Sequence, residues 1–250
     1  MQINPKIALF FITAMLVLFP MGQVTKVFGD EQNANLNSND NTSVTPSTKL
    51  CNIKVQPDAD LSNCHWDNLS IHNANMYGAN MSGSVFVNAD LFGVNLQNAD
   101  LQNVDLKGVN LSGVNLSGAN LHGADLRYAV VWSTNFNGAD LTDAKFTGST
   151  FPWSTFQDAN MEGAIFTQAQ FNGVDFTAAK MLGVDLSYCI CQTDDFSYAN
   201  LRYANLSDAS LVGDVFANAH LHGAITQGAD ISGIDNSCYG NNICLYKKGN

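Results

Sequence analysis

Residues 99–123 read ADLQN VDLKG VNLSG VNLSG ANLHG, five blocks of five in which a small residue, Asp or Asn, and Leu return in fixed places. Working outward in both directions, the phase holds without an insertion from Leu61 to Ile231, thirty-five consecutive units. The block centre is Leu, Phe, Met or Ile except at Trp66, Val131, Cys191 and Thr226. Two residues before it stands Ala, Val, Ser or Cys, apart from Leu69, Thr134, Asp194 and Asp214. Sixteen of the twenty glycines lie two residues after a centre, which places the turn there.

A period of five suits neither a straight helix nor a flat strand, because neither brings every fifth side chain to one face. The backbone must bend once per unit. The small residue and the centre, two apart, point inward along a short extended stretch, and the Gly, Asn or Asp that follows supplies the turn. The number of sides follows from Phe: positions 136, 156, 176, 196 and 216 are all Phe, whereas the column 61, 81 and onward to 221 has none. Four units therefore make one coil. The reading is an all-β, four-sided β-helix of nearly nine coils, with rings stacked at the ~4.8 Å strand spacing.

Ala99-Asp100-Leu101-Gln102-Asn103, Val109-Asn110-Leu111-Ser112-Gly113 and Ala119-Asn120-Leu121-His122-Gly123 resemble the units of the pentapeptide-repeat family. The resemblance implies a right-handed quadrilateral β-helix. Its members include cytoplasmic proteins that protect DNA gyrase by imitating DNA, effectors, and exported cyanobacterial proteins, so it narrows function little.

The ends read differently. Lys6 precedes the apolar run Ile7 to Phe19, and Val27 and Gly29 precede Asp30, as in a secretory leader spanning 1–29. An uncleaved anchor helix is the other reading, which Pro20, Gly22 and Gln23 oppose. Residues 30–50, rich in Asn, Ser, Thr and Asp, read as a flexible linker. The β-helix occupies 51–235 and a C-terminal cap 236–250. Localisation is expected to be the periplasm, the exterior or a thylakoid lumen, with no membrane contact after leader cleavage. In such a compartment Cys51, Cys64, Cys238 and Cys244 are expected to close two small loops, paired by proximity. Cys189 and Cys191, inside the array, are expected to stay reduced as small hydrophobes, because a bridge between residues two apart would strain the strand.

Eleven Lys and Arg against twenty-two Asp and Glu give a formal charge of −11, which argues against nucleic acid as a ligand. The acids fall mostly in the slot before the centre, as Asp90, Asp100, Asp105, Asp125, Asp140, Asp175, Asp185 and Asp230 do. A DNA mimic that inhibits an enzyme such as a topoisomerase is thus the second reading. The first is a non-catalytic scaffold or interaction rod for a protein partner not identifiable from sequence, its oligomeric state open. No nucleophile-and-base spacing or phosphate loop suggests an enzyme, and no cofactor or metal is expected. His220 and His222 flank the inward Leu221 without a third ligand and read as surface residues. Tyr128, Trp132, Pro152 and Trp153 are expected to form an outward patch that contacts a partner. Asp194 and Asp214, twenty residues apart at inward positions, form a buried acidic pair. Either each accepts backbone N–H bonds at a corner, or the two make a site for a proton or cation.

Overall fold

The structure, a computed structural model, describes residues 55–234 and 238–240. The leader, the linker, Cys51, Cys244 and most of the proposed cap lie outside the described residues. Within them the chain winds as a coil with one turn every twenty residues. Parallel bridges pair Asp60 with Asn80, Asn80 with Asp100, and so on in steps of twenty to Asn205 with Ile225. Only on one face does the pairing widen into strands: β1 (Thr150–Pro152), β2 (Gln170–Asn172), β3 (Ile190–Gln192) and β4 (Ser210–Val212), parallel and in the order β1-β2-β3-β4. Their centres Phe151, Phe171, Cys191 and Leu211 stand in register.

Three sets of backbone bonds hold successive coils together; in one, the corner residue two after a centre donates to the coil above, as Gly78 N–H to Gln97 O at 3.0 Å. The N–H of a centre donates to the coil above, as Leu61 to Asn80 O at 2.7 Å, and the residue before a centre donates to the coil below, as Asn80 to Ala59 O at 2.9 Å. A further bond closes most corners, as Ala79 N–H to Met76 O at 3.1 Å. This accounts for the backbone groups of a chain whose extended stretches are too short to pair in any other way.

The inward positions form one continuous core of Leu, Phe, Met, Ala and Val. Down the Phe column, ring centroids lie 4.6 Å apart for Phe136 and Phe156, 5.2 Å for Phe156 and Phe176, 4.7 Å for Phe176 and Phe196, and 4.9 Å for Phe196 and Phe216. The rings are near parallel because the coil repeat, not the rings, sets their separation, and it falls inside the range where offset stacks attract.

Every corner residue two after a centre has positive φ. Glycine accepts this without cost, and Asn and Asp tolerate it, but so do Tyr128, Ser133, Trp153, Gln168, Ala178, Tyr188, Thr193, Tyr198 and Tyr203, with φ between 49° and 62°. All nine fall between residues 128 and 203. The left-handed region costs an ordinary L-residue roughly 1–2 kcal/mol, so this part of the coil carries strain that the earlier coils avoid.

Buried hydroxyls at inward corner positions follow one pattern. Ser154 Oγ donates to Val131 O at 2.6 Å and accepts from Thr134 N–H at 3.2 Å. Ser84 does the same with Leu61 O and Cys64 N–H, and Ser149 with Leu126 O and Ala129 N–H. Ser154→Ala removes both bonds inside the core and is expected to destabilise by about 1–3 kcal/mol, measured by urea unfolding.

A candidate interaction face and the acids behind it

The face that carries β1 to β4 is chemically unlike the other three. Between Asn110 and Val212 its outward positions, the residues either side of each centre, hold Asn, Ser, Val, Trp, Thr, Pro, Gln and Ile but not one charged side chain. On a chain of net charge −11 this is a segregated surface. The face and its two corner rows also gather most of the large apolar groups that the described residues expose. Phe92, Trp132 and Val212 share one row, Ile190 lies across from them, Tyr128 and Tyr188 line one corner, and Trp153 stands at the other.

Of the four residues expected to form an outward patch, Tyr128, Trp132 and Trp153 are 67, 42 and 60% exposed and Pro152 is half-buried. The corner rings lean on the coil above: a Cβ at Gly148 would meet Tyr128 Cδ1 at 2.9 Å, and one at Gly173 would meet Trp153 Cζ3 at 2.6 Å. Glycine follows Tyr128 and Trp153 one coil later, where a side chain would collide with the ring. Sequence reasoning missed Tyr188, Ile190, Val212 and Phe92 as members of this face. Sorting the outward positions by twenty, as the centres were sorted, would have found them.

The acids in the slot before a centre have a local task. Asp90 Oδ1 accepts the N–H of Phe92 at 3.2 Å, Asp100 that of Gln102 at 3.2 Å, Asp140 that of Thr142 at 3.0 Å, Asp175 that of Thr177 at 2.9 Å and Asp185 that of Ser187 at 2.9 Å. Asn110, Asn115 and Asn120 do the same without charge. The slot therefore selects a side-chain acceptor two residues before an N–H, and its charge is incidental. Asp125 is in addition gripped by Arg127 at 2.7 Å, which with Lys107 holds its carboxyl below the usual range despite partial burial.

Such a coil, held by side-chain acceptors in one slot and Leu or Phe in the next, is what the comparison with known sequences returns. The profile of pentapeptide repeats matches eight copies, over residues 58–91, 89–127, 115–151, 124–163, 154–190 and 195–235. The chain belongs to the pentapeptide-repeat family. No curated protein sequence matches it. Among solved structures it is similar to HetL, a pentapeptide repeat protein involved in heterocyst differentiation regulation in the cyanobacterium Nostoc sp. strain PCC 7120. The identity is 21%, with 74% of this chain and 91% of HetL covered and a TM-score of 0.50. It is also similar to trypsin-treated QnrB1, a plasmid-mediated fluoroquinolone resistance protein, at 16% identity, 77 and 93% coverage and a TM-score of 0.45. These likenesses concern fold, and the fold is the right-handed quadrilateral β-helix of pentapeptide-repeat proteins.

Behind the uncharged face lie the residues that break the inward pattern. Asp194 and Asp214 are fully buried. Asp194 Oδ1 accepts Val174 N–H at 2.8 Å and its Oδ2 accepts Gln192 N–H at 3.1 Å. Asp214 Oδ1 accepts Asp194 N–H at 2.9 Å, while its Oδ2 is buried without a hydrogen-bond partner. The carboxyls turn to the corner N–H groups, and the loss of water still dominates their titration. Burial pushes Asp194 up to about 8, against the pull of the Val174 N–H and with the push of Asp214. Burial pushes Asp214 up to about 7, against the Asp194 N–H. Both carboxyls therefore hold a proton well above the usual carboxylate range, and Asp214, whose spare oxygen has no N–H to stabilise a negative charge, gives up the fewest bonds by doing so.

The interior cysteines require a correction. Cys189 and Cys191 were expected to remain reduced, because a bridge between residues two apart seemed to strain a strand; the structure joins them in a disulfide. Residues i and i+2 of an extended segment point to the same side, and here their Cα atoms are 5.8 Å apart, within the span a disulfide covers. Of the terminal cysteines, Cys64 and Cys238 are each disulfide-bonded. His220 and His222 face outward and meet rings, His220 stacking on Tyr239 at 6.1 Å and His222 meeting Tyr203 edge-on at 6.2 Å.

Proposed function

We propose that the protein is a non-catalytic, exported interaction scaffold that binds a protein partner through the uncharged face of β1 to β4 and its aromatic corners. The observation that carries this reading is the placement of Tyr128, Trp153 and Tyr188 at left-handed corners, where Asn or Gly stands in the first coils of the same rows. Folding alone favours Asn or Gly there, so a large exposed ring kept at that cost has a use outside the fold. Tyr and Trp are the residues that most often anchor protein contacts, and they offer large area for few rotatable bonds. The leader-like residues 1–29 support export, and the structural task of the acids weakens the reading as a DNA mimic.

The test is site-specific photo-crosslinking in the native host. A benzophenone amino acid at Pro152 or Asn172 is expected to give a discrete adduct with one partner. The same group at Thr142 or Glu162, on the opposite face, is expected to give none. Adducts from Thr142 and Glu162 with none from Pro152 and Asn172 would refute the assignment of the face.

A further inference from the structure

Among the described residues a single group of His, Cys, Asp or Glu side chains has the arrangement of a metal site. It comprises Cys191 Sγ and one carboxylate oxygen each of Asp194 and Asp214, all within 4.8 Å of one another and all buried. A group of acids alone would mean little. Here an independent feature points the same way: Asp214 Oδ2 is wholly enclosed and has no partner. The corner does not require that oxygen. One acceptor satisfies the Asp194 N–H, and Oδ1 supplies it. At the equivalent corners Ser84, Ser149 and Ser154 make do with one oxygen that both accepts and donates. The second oxygen of Asp214 is therefore surplus to the fold, on a side chain that lies beside a sulfur and another carboxyl. Cys189, bridged to Cys191, stands outside that group and holds a second sulfur next to the first.

We propose that the reduced form of the protein binds one thiophilic divalent cation of the zinc class here, through Cys191, Asp194 and Asp214, with Cys189 as the fourth ligand. The donor set decides the class. Two sulfurs and two carboxylates in a four-ligand site suit zinc and cobalt, whereas calcium and magnesium need more oxygens than two carboxylates provide. The step begins with the bridge. An external dithiol reduces the Cys189–Cys191 bond and is itself oxidised to a disulfide, leaving two protein thiols. The cation then displaces the thiol protons and any proton on Asp214, which pass to solvent. Because the ligands are enclosed, the ion enters as the coil forms rather than through the finished wall. Oxidation to the bridge and cation binding are then mutually exclusive states of one site, one held by a covalent bond and the other by metal.

The experiment refolds the full chain from denaturant with a dithiol and equimolar cobalt(II), followed by desalting. One equivalent of cobalt is expected to be retained, with thiolate-to-cobalt charge-transfer absorption, and the melting temperature is expected to rise relative to the cobalt-free refolded protein. Asp214→Asn is expected to cut retention at least tenfold, as is Cys191→Ala. Asp214→Asn leaves the Oδ1 acceptor in place, and its folding is checked by far-ultraviolet circular dichroism. Retention unchanged in Asp214→Asn places the metal on the terminal cysteines and overturns the proposal. So does a wild-type chain that refolds in the dithiol without retaining cobalt.

Discussion

Phe176→Ala is expected to destabilise the protein by roughly 3–5 kcal/mol, a fall in melting temperature on the order of 10 °C. The ring is fully enclosed, with Phe156 at 5.2 Å below and Phe196 at 4.7 Å above, both near parallel, and Phe171 edge-on at 5.3 Å. A globular core can partly close over a lost ring. A coil whose spacing is set by backbone bonds every turn cannot, because moving one wall inward breaks the pairing on two neighbours. Asn172, which points outward from β2, is the control and tolerates Ser or Thr with little change. Calorimetry of both variants checks the result, and equal losses at the two positions contradict the assignment of faces.

The second large effect depends on pH. The folded Asp214 carboxyl titrates at about 7, above its ordinary value of 3.8, so between those values the folded chain holds a proton that the unfolded chain has released. Its favourable contribution is complete below about pH 4 and is lost as pH rises towards 7, at about 1.4 kcal/mol per pH unit. The loss is on the order of 4 kcal/mol by pH 7. Asp214→Asn cannot ionise and keeps an acceptor for the Asp194 N–H. Its advantage over the wild type is therefore expected to grow from pH 5 to pH 8 in urea-unfolding measurements. Asp194, pushed up to about 8, loses its favourable contribution over the same range, so Asp194→Asn also gains on the wild type as pH rises, but from a lower start: both Asp194 oxygens accept N–H bonds and the amide group gives up one, a cost of about 1–3 kcal/mol. A pH-independent gain or loss in Asp214→Asn contradicts the placement of the proton.

The architecture was legible in the sequence because one constraint repeats thirty-five times: a centre such as Leu101 or Phe176 and a small neighbour must point inward in every unit. The four sides followed from Phe alone. The outward surface was only half legible. Trp132 and Trp153 stood out as bulky residues in an otherwise polar slot, but Ile190 and Val212 attract no notice until the coil sets them on one face. The bridge between Cys189 and Cys191 was missed because chain proximity was read as strain. The alternation of an extended segment, which already placed Ala and Leu side by side at every other unit, places two sulfurs side by side just as well. Asp194 and Asp214 were visible as exceptions, yet their sulfur neighbour was not, since Cys191 belongs to the adjacent face and meets them only around a corner.

The claim that the aromatic corners serve binding rather than folding is tested most directly by the triple variant Tyr128→Asn, Trp153→Asn, Tyr188→Asn. Asn accepts the left-handed backbone at less cost than an aromatic residue and already stands at these rows as Asn68, Asn88 and Asn73. The expected result is a melting temperature no lower than that of the wild type, together with at least a tenfold loss of the crosslinked adduct formed from Pro152. A strongly destabilised variant whose folded fraction still forms the adduct at the wild-type level would contradict the account.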